Sequence, residues 1–205
     1  MQIKYMVLVM LLGVLPGCKQ YFFWGQQNFV QAPKIRVDMT QAREFLKTKR
    51  LYDEASTVGI FDALWLNHTV RQTYINLYAA RKGFCQEEKD DLIAHHKKEA
   101  QDTLSFYVLM DNDQEHILTL KVQESRWSVY LKINNTTYSP ESIKPVMLTP
   151  EYTKLFGYRY NQFRSPYLVV FHAQDGDDQY LLDNAKSLEL HINSVNHKVV
   201  LSWNI

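Results

Sequence analysis

The sequence has little of what marks several specialised classes of protein. Seven glycines and six prolines in 205 residues are too few for a disordered or collagen-like chain. Two cysteines cannot build a disulfide-rich scaffold. The 23 basic and 22 acidic residues nearly cancel, which argues against a basic arm for nucleic acid or an acidic tail. We therefore expect no nucleic-acid partner.

The sequence also lacks the short motifs that identify common catalytic sites. It has no Gly-x-Ser-x-Gly elbow, phosphate loop, Gly-x-Gly-x-x-Gly turn, His-Glu-x-x-His helix, Cys-x-x-Cys pair or Ser-x-x-Lys sequence. Each missing motif excludes only its own class, so an enzyme with a scattered site remains an alternative. We predict a protein without catalytic activity and without a cofactor.

What the chain does contain is a large share of apolar and aromatic residues, 46% and 13% respectively. A chain of this length can bury a core without disulfide bonds. The composition therefore favours one ordinary globular domain, with a shorter segment in front of it.

That front segment begins with a short polar stretch carrying Lys4, followed by eleven uncharged residues, 5–15. A bilayer-spanning helix needs ~20 apolar residues, so this run is too short to cross a membrane. Its length is typical of the hydrophobic region of a secretory signal. The run ends in Leu15, Pro16, Gly17 and Cys18.

These four residues resemble the lipobox of bacterial lipoproteins, with Pro16 in place of the usual small residue. The resemblance implies that the signal is cleaved before Cys18 and that the Cys18 thiol carries diacylglycerol, with a further acyl chain on the new amino group. Since Lys19 stands where Asp would favour inner-membrane retention, the resemblance implies an outer membrane facing the periplasm, if the cell has two membranes. An uncleaved apolar anchor and an ordinary secretory signal are the alternatives.

The resemblance divides the chain into three parts. Residues 1–17 are the predicted signal peptide, residues 18–37 the lipidated cysteine and its tether, and residues 38–205 a single globular domain. Removing the signal takes away Lys4 and leaves equal numbers of basic and acidic residues, so the mature domain is formally neutral.

Within the domain, the hydrophobic pattern predicts helices to about residue 103 and mostly strands after it. A short helix is expected over residues 41–51, and a strand begins at Val58. Asn67 and Gly83 mark the ends of one amphipathic helix, and a second helix runs from about residue 87 to 103. The predicted fold is α+β, an N-terminal helical hairpin followed by an antiparallel β-sandwich or partly open barrel of six or seven strands.

The best local cluster of ionisable residues lies on the second helix. Asp91, His95 and Glu99 are spaced four residues apart and share one helix face. Nitrogen and oxygen ligands at this spacing are weak candidates for a divalent metal, and a solvated face of weak ion pairs is the favoured interpretation. We predict no metal. The alternative of an envelope hydrolase uses His95, Glu99 or the histidines of the predicted strands.

A group of aromatic and arginine residues supplies a candidate binding loop near the end of the chain. Tyrosine and arginine are favoured in binding surfaces, because they combine contact area with hydrogen bonds. The candidate partner-binding residues are Tyr158, Arg159, Tyr160, Phe163, Arg164 and Tyr167.

These observations favour a membrane-anchored lipoprotein of the bacterial cell envelope. Its domain is predicted to be an interaction or structural module for an envelope protein partner, attached to the membrane through lipid at Cys18. A carrier of a small apolar ligand, held between the sheet and the helices, is a further alternative. The oligomeric state is left open.

Overall fold

The computed structural model describes residues 37–53, 56–111, 126–175 and 179–205. All of them belong to one compact unit, Val37–Ile205. The predicted signal peptide, the lipidation site and the tether up to residue 36 lie outside the described residues.

The described chain contains four α-helices and nine strands. The helices are α1 (Thr40–Arg43), α2 (His68–Lys82), α3 (Gln86–Asp102) and α4 (Pro150–Phe156), and a 3₁₀ turn (Gly157–Arg159) follows α4. The strands are β1 (Leu46–Asp53), β2 (Ser56–Trp65), β3 (Thr103–Asp111), β4 (Ser128–Ile133), β5 (Thr136–Tyr138), β6 (Ser142–Pro145), β7 (Arg164–His172), β8 (Ser187–Asn193) and β9 (Lys198–Asn204).

The strands form two antiparallel sheets. The first, sheet A, has the order β1-β2-β3-β7-β6, and the second, sheet B, has the order β5-β4-β8-β9. The α+β class with antiparallel sheets is therefore confirmed, and the sheets are not closed into a barrel.

One buried core is shared by the inner faces of the two sheets. Phe61 and Phe106 of sheet A and Leu131 and Trp203 of sheet B belong to the same buried cluster. The ring centres of Trp203 and Phe106 lie 5.3 Å apart. The indole Nε1 of Trp203 donates a 2.8 Å hydrogen bond to the Phe45 carbonyl. The indole therefore fills the core while its polar atom stays satisfied.

A second buried cluster lies on the outer face of sheet A. It joins Leu64 and Leu109 of the sheet to Val70 of α2 and to Leu155 and Phe156 of α4. The helices are thus packed against the side of sheet A that faces away from sheet B.

The predicted ends of α2 are confirmed. The Asn67 side chain accepts a 3.0 Å hydrogen bond from the Val70 amide, as an N-cap residue does. Gly83 adopts φ +72°, and its amide donates to the Ala79 carbonyl. Glycine adopts this left-handed conformation without the steric penalty of a Cβ atom. The helix α3 also occupies nearly its predicted range.

The predicted order of elements is wrong at the start of the domain. The helix expected over residues 41–51 ends at Arg43, and a strand begins at Leu46. This strand pairs with the predicted strand from Val58, so two strands precede the helical hairpin. The antiparallel pairing of residues 46–53 with β2 outweighs the helical spacing of the preceding apolar residues. This early pair and the three-residue β5 raise the number of described strands to nine.

Among the helices of the described segments, none is both long enough and apolar enough to span a bilayer.

Candidate binding surface and the charged network beneath it

The six residues of the predicted binding loop separate into exposed and buried groups. Tyr158 is 84% exposed and Phe163 is 65% exposed. Arg164 and Tyr167 are buried, and Arg159 and Tyr160 are half-buried. Of these six residues, Tyr158 and Phe163 are therefore the two that present large apolar surfaces to solvent.

Arg164 crosses sheet A from the first position of β7. Its Nη2 atom lies 2.8 Å from Oδ2 of Asp62, which is fully buried on β2. The same nitrogen donates to the carbonyls of Ile60 and Leu109, each at 3.0 Å. The Nε atom lies 3.1 Å from Oδ1 of Asp111. A buried guanidinium needs this compensation, because an uncompensated buried charge is costly.

Arg159 reaches the same aspartate from the 3₁₀ turn. Its Nε atom lies 3.4 Å from Oδ1 of Asp62 and 3.2 Å from Oγ1 of Thr48. Thr48 Oγ1 in turn donates a short hydrogen bond to Asp62 Oδ1. One buried carboxylate therefore receives two arginines from opposite ends of the loop and a hydroxyl from β1.

The two remaining residues of the loop pack inward. Tyr167 lies in the core between the sheets, and Tyr160 packs against the cluster on the outer face of sheet A. The Arg159 guanidinium carbon also lies 5.0 Å from the centre of the Tyr158 ring. The loop is therefore fixed at both ends, while Tyr158 and Phe163 stay exposed between these attachments.

A second polar cluster connects the helical hairpin to sheet A. Arg71 of α2 is 3% exposed, and its Nε atom donates a 2.8 Å hydrogen bond to the Leu66 carbonyl. Its Nη1 atom lies 2.8 Å from Oε2 of Glu99 on α3. Nδ1 of His96 lies 3.4 Å from the same Glu99 oxygen.

These contacts change the acidity of Glu99. The hydrogen bond with His96 and the positive charge of Arg71 lower the pKa of Glu99 to about 2, against the opposing effect of partial burial. Glu99 is therefore fully ionised at neutral pH, and it joins the two helices of the hairpin through charge.

Aromatic rings fill the space between this cluster and α4. The rings of Tyr74 and Tyr152 are stacked with their centres 4.5 Å apart. The Tyr107 ring packs edge-on against the Tyr152 ring, with their centres 4.6 Å apart. Burial raises the pKa of Tyr107 to about 12, and it also raises the pKa values of Tyr74 and Tyr152 above the usual value of a tyrosine. All three rings are thus neutral at physiological pH and act as packing groups.

The structure does not bring the candidate metal ligands into one site. Asp91 and His95 are exposed on α3, whereas Glu99 is turned towards Arg71 and His96. Within residues 37–53, 56–111, 126–175 and 179–205, no group of three or more metal-ligating side chains is present.

The histidines of the strands are also separated. His172 lies exposed in sheet A, and its Nδ1 atom is 3.7 Å from Oε2 of Glu141. In sheet B, the buried His191 ring stacks on the Tyr130 ring with the two ring centres 4.6 Å apart. The Nε2 atom of His191 lies 2.9 Å from Oε2 of Glu189. His197 stacks on Trp127 in the hairpin between β8 and β9. These contacts provide no convergent site for hydrolysis among the described histidines.

Sequence reasoning missed Asp62 and Arg71, the two charged residues on which the polar clusters depend. Asp62 has a recognisable signal, because it is the single charged residue within the apolar stretch from Val58 to Leu66. A charge inside an apolar strand indicates a buried and paired side chain. Arg71 has no such signal, since its position on α2 is equally typical of a solvated face.

Comparison with protein-family models and with curated proteins finds no match for the chain. Comparison with solved structures finds one described as a novel protein of unknown function from Burkholderia pseudomallei K96243. The two share 9% sequence identity over 91% of this chain and 88% of that chain, with a TM-score of 0.40.

Proposed function

We propose that this protein is a lipid-anchored module of the bacterial cell envelope, without catalytic activity, that acts by binding. The observation that carries the proposal is the short apolar run that ends in Leu15, Pro16, Gly17 and Cys18. Charge, apolar length, glycine and cysteine occur in the order that lipoprotein processing requires.

The anchor is proposed to be acyl chains on Cys18. Each buried CH₂ group contributes about 0.8 kcal/mol, so two or three chains hold a protein on a membrane almost permanently. With Lys19 after the cysteine, the proposed location is the periplasmic face of the outer membrane, in a cell with two membranes.

The domain behind the anchor is proposed to be a β-sandwich with helices on one outer face. The core shared by Phe106 of sheet A and Trp203 of sheet B supports this architecture. A rigid sandwich is a suitable base for binding loops, because the loops can vary without disturbing the core.

The proposed binding surface centres on Tyr158 and Phe163. Both side chains are strongly exposed, yet the loop that carries them is attached to buried Asp62 through Arg159 and Arg164. Holding the loop in one conformation reduces the entropy lost when a partner binds. This combination of exposed aromatic rings and a fixed backbone supports a binding role.

The two cysteines provide a matched test of the anchor. We expect Cys18→Ser to move the protein out of the membrane fraction or to stop its maturation, because serine cannot form the thioether. Cys85→Ser is the control, since Cys85 is exposed at the start of α3 and far from the signal in sequence. The proposal fails if the Cys18 variant is processed and membrane-bound like the wild-type protein.

A further inference from the structure

The guanidinium of Arg71 has one buried nitrogen that is left without a hydrogen bond. Arg71 is 3% exposed, and its Nε and Nη1 atoms donate to the Leu66 carbonyl and to Glu99, each at 2.8 Å. Its Nη2 atom is also buried, yet it has no partner among the residues that the structure describes. An unpaired donor of a charged group is costly to bury. An oxygen acceptor is therefore missing at Nη2.

Arg164 shows how the same fold satisfies a buried arginine. Its Nη2 atom lies 2.8 Å from Oδ2 of Asp62 and also donates to two backbone carbonyls. A second carboxylate, that of Asp111, lies 3.1 Å from its Nε atom. In the described segments, Arg71 is paired with one carboxylate, that of Glu99. Two carboxylates around one buried guanidinium are thus compatible with this fold, and Arg71 has only the first.

The helix that reaches over Arg71 is packed loosely. Glu99 of α3 binds Nη1 of Arg71, and Nδ1 of His96 lies 3.4 Å from the same nitrogen. The structure describes α3 along its whole length, and none of its residues is buried, whereas α2 has six buried residues. A helix with few buried side chains moves at a low cost in free energy. A shift of α3 can therefore admit a small molecule to Nη2 without opening either buried cluster.

The strand beneath α3 presents hydroxyl groups. Thr103 Oγ1 donates a 2.9 Å hydrogen bond to the Glu99 carbonyl, and it lies 3.3 Å from Oγ of Ser105. Ser105 is 2% exposed, and its carbonyl accepts a 2.9 Å hydrogen bond from the Leu66 amide. Because the Leu66 carbonyl holds Arg71, the guanidinium and these hydroxyls belong to one part of sheet A. This part is polar.

Aromatic rings border the same part on the side of α4. Tyr107 follows Ser105 on the same face of β3, and its ring packs against that of Tyr152. Burial raises the pKa of both tyrosines, and the positive charge of Arg71 opposes both shifts. The two phenols therefore lie within the electric field of Arg71, and they stay neutral donors at physiological pH.

We propose that the junction of α3 and sheet A binds a small molecule with a carboxylate group, which accepts hydrogen bonds from Nη2 of Arg71. Hydrogen bonds between guanidinium and carboxylate groups are strong, because both partners are charged. One monoanion reproduces the pair of carboxylates around Arg164, whereas a phosphate dianion places more negative charge beside Glu99. This junction is separate from the proposed binding surface at Tyr158 and Phe163.

The test titrates the full-length protein, labelled with ¹⁵N in neutral detergent micelles, with sodium benzoate at constant ionic strength. Benzoate combines a carboxylate with an aromatic ring, as the tyrosines beside the junction favour. Benzamide is the matched neutral probe, since it keeps the shape and a carbonyl oxygen. Phosphate is the competing anion. The signals to follow are the side-chain Nε–H of Arg71 and the backbone amides of α3.

We expect benzoate to shift both sets of signals, and benzamide to bind at least about tenfold more weakly, as the loss of one charge-assisted hydrogen bond implies. Phosphate is expected to bind more weakly than benzoate. Arg71→Lys keeps the charge but removes Nη2, and it should weaken benzoate binding by a similar factor. Arg43→Lys is the matched control, because Arg43 is exposed and its Nη2 already donates to the Lys154 carbonyl. Its affinity for benzoate should equal that of the wild type.

The proposal is overturned if benzoate leaves the Arg71 and α3 signals unchanged, which would mean that water satisfies Nη2. Benzamide or phosphate binding as tightly as benzoate overturns it too, and so do shifts confined to other segments. If Arg71→Lys does not fold, as a loss of dispersed amide signals would show, the wild-type comparison of benzoate with benzamide decides the question by itself.

Discussion

Arg164 extends from the first residue of β7 across β3 and places its Nη2 atom 2.8 Å from Oδ2 of Asp62 on β2. Both side chains are buried, and Arg159 approaches the other carboxylate oxygen at 3.4 Å. The residues expected to recognise a partner thus include two arginines that fix their own loop. Their proposed role is to hold Tyr158 and Phe163 in place for binding.

This arrangement predicts a large effect of removing Asp62. Asp62→Ala leaves Nη2 of the buried Arg164 without its carboxylate partner and keeps only the Asp111 carboxylate at Nε. The loss of one partner of a buried pair typically costs about 3–5 kcal/mol. We expect a decrease of that size in the free energy of unfolding, measured by urea denaturation.

Arg159→Ala is the matched control for Asp62→Ala. Its side chain is 32% exposed, so the loss is expected to be about 1 kcal/mol or less. Equal effects of the two substitutions would contradict a network centred on the buried Asp62–Arg164 pair.

The shared core predicts a strong dependence of stability on Trp203. Trp203→Ala removes a ring that contacts Phe106 and Trp65 and a hydrogen bond to the Phe45 carbonyl. A loss of about 3–5 kcal/mol is expected in thermal or chemical unfolding. Val195→Ala, at a 98% exposed position, should change stability by no more than about 0.5 kcal/mol. A mild effect at Trp203 would argue against a core common to both sheets.

The lowered pKa of Glu99 predicts that the folded protein loses a defined part of its stability in acid. Its pKa is about 2 in the folded protein and close to 4.5 in an unfolded chain. The folded state therefore favours the ionised form, and this contribution is complete above pH ~4.5 and disappears as the pH falls towards 2. Because the Glu99 side chain is 43% exposed, solvent screening limits its contribution to the free energy of unfolding to about 1 kcal/mol.

Comparison of the wild type with Glu99→Gln measures this contribution. The wild type is expected to be more stable at pH 7, and the difference should shrink between pH 4.5 and 2. A difference that stays constant over this range would show that the ion pairs with Arg71 and His96 are not its source.

Much of the fold follows from local signals in the sequence. Asn67 and Gly83 mark the ends of α2 because capping chemistry is local, and alternating side chains identify β4 and β9. The prediction of a helix at the start of β1 is wrong because pairing with β2, a contact between separate segments, decides its conformation. Local spacing contains no information about that partner.

The candidate site was predicted only in part for the same reason. Tyrosine and phenylalanine at 158 and 163 were correctly placed in a loop, and both are exposed. The inward positions of Arg164 and Tyr167 depend on Asp62 and on the core, which lie about a hundred residues earlier or in another sheet. Sequence alone gives residue types, whereas burial depends on these distant contacts.

We propose that Cys18 becomes the lipid-bearing first residue of the mature protein. Mass spectrometry of the amino-terminal peptide, from protein purified out of membranes, measures this directly. We expect a chain that begins at Cys18, with diacylglycerol on its sulfur. A chain that begins elsewhere, or that has an unmodified Cys18 thiol, would contradict it.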